Sequence, residues 1–258
     1  MTNLINPFRF NGSLFDPSTL SGIIGWWDFN DETTITRDGS SKIQQINDKS
    51  VTAAHLTSPA SGNRPGTTTS GGRQWGAFSA ATPTCLRTTA AGFTFATGAG
   101  FEVYVVYYHS DSGTTARCIV GKGDETTARW AIFANASSTA GQNSGRFRGS
   151  GGSVLNILRN IGAHDGLPHF ARISRETGGA GACNHEDDKG SGTPGNVNDN
   201  INPTEPLWIG GFDNAIGDAN FKGFTGQVGE VLIFSAPLGT TDHDNLVNSY
   251  LKAKWGIA

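Results

Sequence analysis

Breaking a glycosidic bond takes two carboxyl groups facing each other across the sugar, about 5–9 Å apart. The acidic residues of this chain do not suggest such a pair. Glu102 and Glu230 each stand alone in an apolar run, and Glu186, Asp187 and Asp188 share a segment with no strand register to aim them. Glu230 reads instead as a fold feature that bonds to a neighbouring turn. Nucleophilic chemistry has no better footing, because the Gly-x-Ser-x-Gly elbow is absent. The His/Asp neighbours His164-Asp165-Gly166 and Asp242-His243-Asp244 read as a turn entering a strand and as the first turn of a surface helix.

Hard oxygen donors gather twice, as calcium would require: Asp213, Asn214, Asp218 and Asn220 in one stretch, and Asn196, Asn198, Asp199 and Asn200 in another. Neither has EF-hand spacing, and Asn and Asp are also the ordinary residues of turns. Sugar recognition needs an aromatic face for C–H groups and planar polar groups for hydroxyls. Arg73 with Trp75, and Asp124 with Arg129 and Trp130, are the candidates. For each tryptophan the competing reading is core packing.

The elements that must position these groups are strands. Glycine is plentiful, with 36 of 258 residues, while charged residues make up only 16%. That mixture suits short strands joined by many tight turns. Strand signals fall at Ile23 to Asp28, Ser41 to Ile46, Gln74 to Phe78, Thr84 to Thr88 and Phe101 to Tyr108. They continue at Arg117 to Val120, Arg129 to Ala134, Gly145 to Arg148, Val154 to Leu158, Pro168 to Ser174, Leu207 to Gly210 and Gln227 to Phe234. Phe101 to Tyr108 is apolar on both faces and predicts a central strand. Successive strand residues face opposite ways, so Trp26 and Trp27 cannot both enter one core. One of them must meet the N-terminal segment, the C-terminal helix or another chain. That helix is predicted from Thr240 or Thr241 as cap, through the stripe Leu246, Val247, Tyr250 and Leu251, to Gly256, with Trp255 as an anchor. Residues 176 to 206 carry little apolar content and read as long loops.

Residues 1 to 20 read as an arm preceding a domain at 21 to 258. Leu4, Ile5, Pro7, Phe8 and Phe10 make it too apolar for a free tail. Two readings stand: it lies across its own domain, or it clips onto a neighbouring subunit. Three cysteines without C-x-x-C spacing exclude a disulfide framework and a zinc knuckle. Cys118 reads as buried, while Cys183 falls in a loop where exposure is expected. A net charge of −3 gives no basic stripe for nucleic acid. The run Arg146-Phe147-Arg148, with Arg159 beyond it, reads as a solvated strand edge. No stretch is long and apolar enough for membrane insertion. The N-terminus lacks the pattern of a secretory signal, so synthesis in a cytoplasm is expected.

Several segments resemble concanavalin A-like lectin/glucanase domains of the laminin G-like group. They are Gly25-Trp26-Trp27-Asp28, Asn47-Asp48-Lys49-Ser50 with His55-Leu56-Thr57, Asp165-Gly166-Leu167-Pro168-His169, Leu207 to Gly211, Phe224 to Phe234 and Tyr250 to Gly256. The resemblance covers residues 22 to 258 and implies an all-β, two-sheet antiparallel jelly-roll sandwich with one C-terminal helix. The group's enzymes carry Glu-x-Asp-x-x-Glu on one strand, which this chain lacks. Domains of this kind recur in bacteriophage virion proteins. The resulting expectation is a non-enzymatic virion protein, a capsid decoration or tail or fibre component, made in the host cytoplasm and docked through its arm. Its expected partners are other virion proteins, sister subunits in a homo-oligomer and a cell-surface glycan. No cofactor is expected beyond the calcium of the loop above. A free carbohydrate-binding module or adhesin is the alternative, and a glycoside hydrolase stands behind both.

Overall fold

The computed structural model describes residues 15–109, 113–135, 141–160, 165–178, 180–212, 216 and 221–258. Two antiparallel nine-stranded sheets stack face to face. The first, sheet I, runs β15 (Gly190–Ser191), β14 (Ala182–Asp187), β13 (Pro168–Arg175), β8 (Phe101–Tyr108), β18 (Gly226–Phe234), β6 (Arg73–Phe78) and β5 (Gly66–Ser70). In the same sheet β1 (Ile23–Asp28) pairs with β18, and β16 (Gly195–Asn196) pairs with β14. Sheet II runs β12 (Val154–Asn160), β11 (Gln142–Arg148), β10 (Arg129–Ala134), β9 (Arg117–Lys122), β17 (Leu207–Ile209), β7 (Leu86–Thr88), β4 (Leu56–Thr57), β3 (Ile43–Ile46) and β2 (Ile35–Arg37). The antiparallel sandwich expected from the sequence is the fold the chain adopts.

Alternation builds the layers. Trp27, Val103, Val105, Tyr107, Ile173, Val231 and Ile233 point inward from sheet I and meet Ile119, Trp130, Ile132, Phe147 and Ile209 of sheet II. The intervening residues Trp26, Tyr104, Val106, Phe170, Leu232 and Phe234 point outward, where a second apolar cluster receives them. That cluster is closed by the C-terminal helix α1, formed by Thr240–Asp244, a π-wound middle Asn245–Leu251 and Lys252–Trp255. Its Leu246, Val247, Tyr250, Leu251 and Trp255 are buried there. Thus Trp27 enters the core and Trp26 meets the helix, as the pleat requires. β8 lies between β13 and β18 with all but its last residue buried, the central strand its sequence predicts. Gly256 ends the helix in the left-handed region at φ 70°. The helix start differs from expectation: Gly239 precedes it, and no threonine side chain caps it.

Two other expectations need correction. Residues 176 to 206 are not simply loop, since β14, β15 and β16 lie within them. β14 alternates strictly, with Cys183, His185 and Asp187 buried. Cys183 is therefore fully buried rather than exposed, and its thiol donates to the Gly181 carbonyl at 3.3 Å. The last residues of the predicted arm belong to the packed body: Phe15 packs against the helix-side cluster and Leu20 is buried in it. Leu4, Ile5, Pro7, Phe8 and Phe10 lie outside the described residues.

Two of the segments that carried the family resemblance prove to be each other's partners. The Asp48 carboxylate accepts from Trp26 N at 2.9 Å, Ser50 N at 2.8 Å, Ser50 Oγ at 2.8 Å and Ala54 N at 2.8 Å. Lys49 stands 4.5 Å over the Trp26 ring and pairs with Asp31 at 2.8 Å. The Asn47–Ser50 turn thus fastens the first strand by satisfying backbone donors that the sheet leaves open.

Candidate functional site

The carboxylates come first, because catalysis depends on them. Glu102 is fully buried, pairs with Arg172 and accepts from Leu238 N at 2.7 Å. Glu230 is also fully buried and takes four donors: Trp26 Nε1 at 2.6 Å, Tyr250 Oη at 2.8 Å, Trp255 Nε1 at 2.8 Å and Lys254 Nζ at 2.8 Å. Its partners are Trp26 and the terminal helix, not the neighbouring turn expected from sequence. Glu186 pairs with Arg172 at 3.0 Å and lies 3.5 Å from His243 Nε2. The other nitrogen of His243 is 2.6 Å from the Tyr104 hydroxyl. Each of these acids holds the fold, and among the described residues no cavity opens beside them.

One end of the sandwich interior is polar. His169, on β13, is 1% exposed and lies between Asp188 at 3.0 Å from Nδ1 and Asp165 at 3.0 Å from Nε2. Burial works against its charge, but the two carboxylates prevail and hold its pKa above the ordinary imidazole value. His185, on β14, is the opposite case: burial pushes its pKa down to about 4. Its Nδ1–H donates to the Arg172 carbonyl at 3.0 Å, and Nε2 is left without a partner. The signs oppose each other. A raised histidine pKa contributes stability below the unfolded value of about 6.5 and loses it as pH rises through the folded pKa. A depressed one contributes above about 6.5 and loses it on acidification toward the folded value. Stability should therefore decline on the alkaline side through His169 and on the acid side through His185. Urea midpoints measured across this range should show the alkaline decline flattened in His169→Gln. An unchanged alkaline limb in that variant would contradict the assignment.

The predicted sugar contacts separate. Trp75 is 1% exposed, with its ring centroid 4.5 Å from that of Trp255. It serves the helix interface, while Arg73 beside it donates to the Gly71 carbonyl at 3.0 Å. Trp130 is fully buried between the sheets and donates to the Phe93 carbonyl at 3.1 Å. Neither ring offers a face to a sugar, which corrects the expectation for both. Arg129 and Trp130 are adjacent on β10 and so face opposite sides of sheet II, which divides that trio. Arg129 does meet Asp124: its Nη1 donates to the Asp124 carbonyl at 3.0 Å. The Asp124 carboxylate accepts from Thr126 N at 2.6 Å and Thr127 N at 2.6 Å, shaping its own turn. The calcium candidates Asp213, Asn214, Asp218 and Asn220 lie outside the described residues. In the second candidate group, Asn200 Oδ1 accepts from Thr97 N at 2.6 Å, fastening a loop. Among the described residues no three His, Cys, Asp or Glu side chains converge as metal ligands would.

The outer face of sheet II is covered at its centre, where Cys118, Ala131, Phe133 and Phe212 form a buried cluster and Phe221 packs on Trp208, and its two ends stay accessible, Thr57 with Arg87 and Asn156 with Arg146. Strand registers place Thr57, Arg87, Trp208, Gly121, Ala131, Arg146 and Asn156 in one row across it. The Arg87 guanidinium stands 5.3 Å over the Trp208 ring, and that of Arg146 stands 4.1 Å over Phe133. Phe212 packs on Phe133 between them, at 5.5 Å between centroids. Each guanidinium is thus within cation–π range of a ring, and Arg146 also donates to Ser144 Oγ at 3.3 Å and Glu125 at 3.4 Å. Sequence reasoning placed Arg146 and Arg148 at a strand edge but missed Arg87 and Trp208. The available signal was Arg-x-Arg alternation, which puts two arginines on one face.

Fold and face together define a two-sheet antiparallel sandwich with one side covered by its terminal helix and the other carrying a small buried apolar cluster flanked by arginines. No known sequence family matches the chain, and no curated protein does. Solved structures of this architecture do. The binding domain of Paraclostridial Mosquitocidal Protein 1 superposes with a TM-score of 0.66 at 11% identity, covering 88% of this chain and 52% of that one. The receptor binding domain of botulinum neurotoxin D gives 0.58 at 10% identity, covering 88% and 52%. The serotype D ligand binding domain in complex with N-acetylneuraminic acid gives 0.58 at 10% identity, covering 88% and 50%. The chain spans about half the length of each, and the likeness is one of fold.

Proposed function

We propose that this protein is a non-enzymatic binding module that captures glycans on the outer face of sheet II. The observation that carries the reading is the accessible end of the cross-strand row, where the Arg146 guanidinium stands 4.1 Å over Phe133 and the exposed Asn156 lies opposite it on β12. The engagement of Glu102 and Glu230 in holding the fold favours binding over hydrolysis. A neurotoxin domain of the same fold is known in complex with a sugar acid, so sandwiches of this kind serve in glycan-binding proteins.

The module's setting is a particle surface, proposed as a bacteriophage virion, with residues 1–20 as the docking segment. Phe15 and Leu20 pack on the helix side of the sandwich, the side opposite the arginine row. Docking by one side and binding by the other follows from that polarity. The test has two arms. On a glycan array the protein should retain one class of sugar, and Arg146→Ala should weaken that retention; an array blank for every class removes the reading. A form lacking residues 1–20 should fail to join particles, and normal incorporation would remove the virion setting while leaving glycan capture intact.

A further inference from the structure

Resting on the glycan-capture reading, we infer that the saccharide bound on sheet II is acidic, its carboxylate or sulfate group seated on Arg146 and Arg148 beside the turn that joins β9 to β10 and its ring lying toward β12. The argument begins with charge. Arg129, Arg146 and Arg148 converge on the turn that joins β9 to β10, and Asp124 and Glu125 are the carboxylates acting on Arg129 there. Asp124 is engaged by its own turn. Glu125 therefore faces three guanidinium groups, and it meets them loosely: 3.3 Å to Arg129 and 3.4 Å to Arg146. Charge-assisted pairs at their optimum are about 2.7–2.9 Å. Arg148 reaches only the Glu125 main-chain carbonyl, at 3.0 Å.

A second observation points the same way. The Arg129 side chain is 6% exposed, yet its Nε has no hydrogen-bond partner. Burial, opposed by Glu125 and then reinforced by the charges of Arg146 and Arg148, sets its pKa below the ordinary guanidinium value. Among the described residues such a cluster has more positive charge than its neighbours neutralise, and an added anion relieves it.

The surroundings suit a sugar ring. Along β12 the outward residues are Val154, Asn156 and Leu158, opposite Arg148, Arg146 and Ser144 of β11. Val154 and Leu158 are 52% and 41% exposed, apolar surface on either side of Asn156. Sugar C–H faces can rest on them, with Asn156 between to bond a hydroxyl.

The experiment is calorimetric titration with the methyl glycoside of N-acetylneuraminic acid, a glucuronate disaccharide, a sulfated galactoside and neutral galactose. Binding should be confined to the anionic ligands and weaken with added salt, and the ligand that binds tightest decides between carboxylate and sulfate. Arg148→Gln should weaken binding about tenfold, the loss of one charge-assisted contact. Glu125→Gln removes the competing carboxylate and should strengthen binding, a gain that misfolding cannot imitate. Arg73→Gln, on the other sheet, should leave it unchanged. Equal binding of galactose, or affinity unmoved by both Arg148→Gln and Glu125→Gln, overturns the acidic assignment and leaves glycan capture standing. Failure of all four ligands, together with a blank array, removes both.

Discussion

Replacing Glu230 by alanine is expected to lower the unfolding free energy by about 3–5 kcal/mol, the range for breaking a buried ion pair by deleting one partner. The side chain is fully buried, and its two oxygens take Trp26 Nε1, Tyr250 Oη, Trp255 Nε1 and Lys254 Nζ. Alanine would leave two indole N–H groups and a hydroxyl with a lost partner. Lys254 would keep only Asp28, at 2.7 Å, as its carboxylate. Burial pushes the Glu230 pKa up and Lys254 pulls against it. With all four of these partners donating, the site is built for the ionised form. Glu230→Gln should cost less than alanine, since one amide oxygen still accepts. Adding Lys254→Met to Glu230→Gln should recover part of the loss, because the cation is then no longer stranded. Urea unfolding followed by tryptophan fluorescence measures all three. A loss under about 1 kcal/mol for alanine, the scale of an exposed pair, would show that the helix is held by its apolar stripe alone.

That carboxylate also marks how far the sequence could be read. Alternation placed Trp26 and Trp27 on opposite faces, and the isolation of Glu230 in an apolar strand signalled a structural role. Its partners came from residues 26, 250, 254 and 255, a convergence that no local pattern encodes. Strands with β-branched and aromatic runs, such as Phe101–Tyr108 and Arg129–Ala134, were legible with their bounds. β14 was not, because its buried residues are Cys183, His185 and Asp187 and the usual apolar rhythm is missing. β5, Gly-Thr-Thr-Thr-Ser, hid for a similar reason. The site was legible only in fragments. Arg146 and Arg148 could be put on one face, but their meaning depends on Glu125, Arg129 and Phe133, which reach them from other segments. Trp75 and Trp130 were ambiguous until their partners Trp255 and Phe93 were known. Whether an aromatic residue is platform or core depends on what covers it, and that is a tertiary fact.

Arg175→Met is expected to cost about 3 kcal/mol, the order set by orphaning several buried acceptors at about 1–3 kcal/mol each. Arg175 closes β13 and is fully buried, yet no carboxylate neutralises it among the described residues. Instead its guanidinium donates to four main-chain carbonyls: Ala99 at 2.8 Å, Asp199 at 2.7 Å, Ala96 at 2.7 Å and Phe95 at 3.4 Å. The head also stands 5.7 Å from the Phe101 ring centroid. Burial lowers its pKa below the ordinary guanidinium value, the sign of a charge kept in place by dipoles rather than by a counter-ion. The planar fork suits this task, because it carries five N–H donors in fixed directions. Two crossings of the chain are tied at this point, residues 95–99 and residue 199, and Phe95 and Ile201 also exchange backbone bonds at 2.8 Å. Methionine matches the bulk of the stem but donates to none of the carbonyls. Lysine would keep the charge with three donors that diverge instead of lying in one plane, so Arg175→Lys should fall between methionine and the parent. The loss should also be local. In Arg175→Met, hydrogen exchange at the Ala99 amide, which bonds to the Ala96 carbonyl at 3.0 Å, should accelerate more than at the central strand β8. Acceleration spread evenly over both would mean that Arg175 supports the sandwich as a whole rather than pinning this crossing.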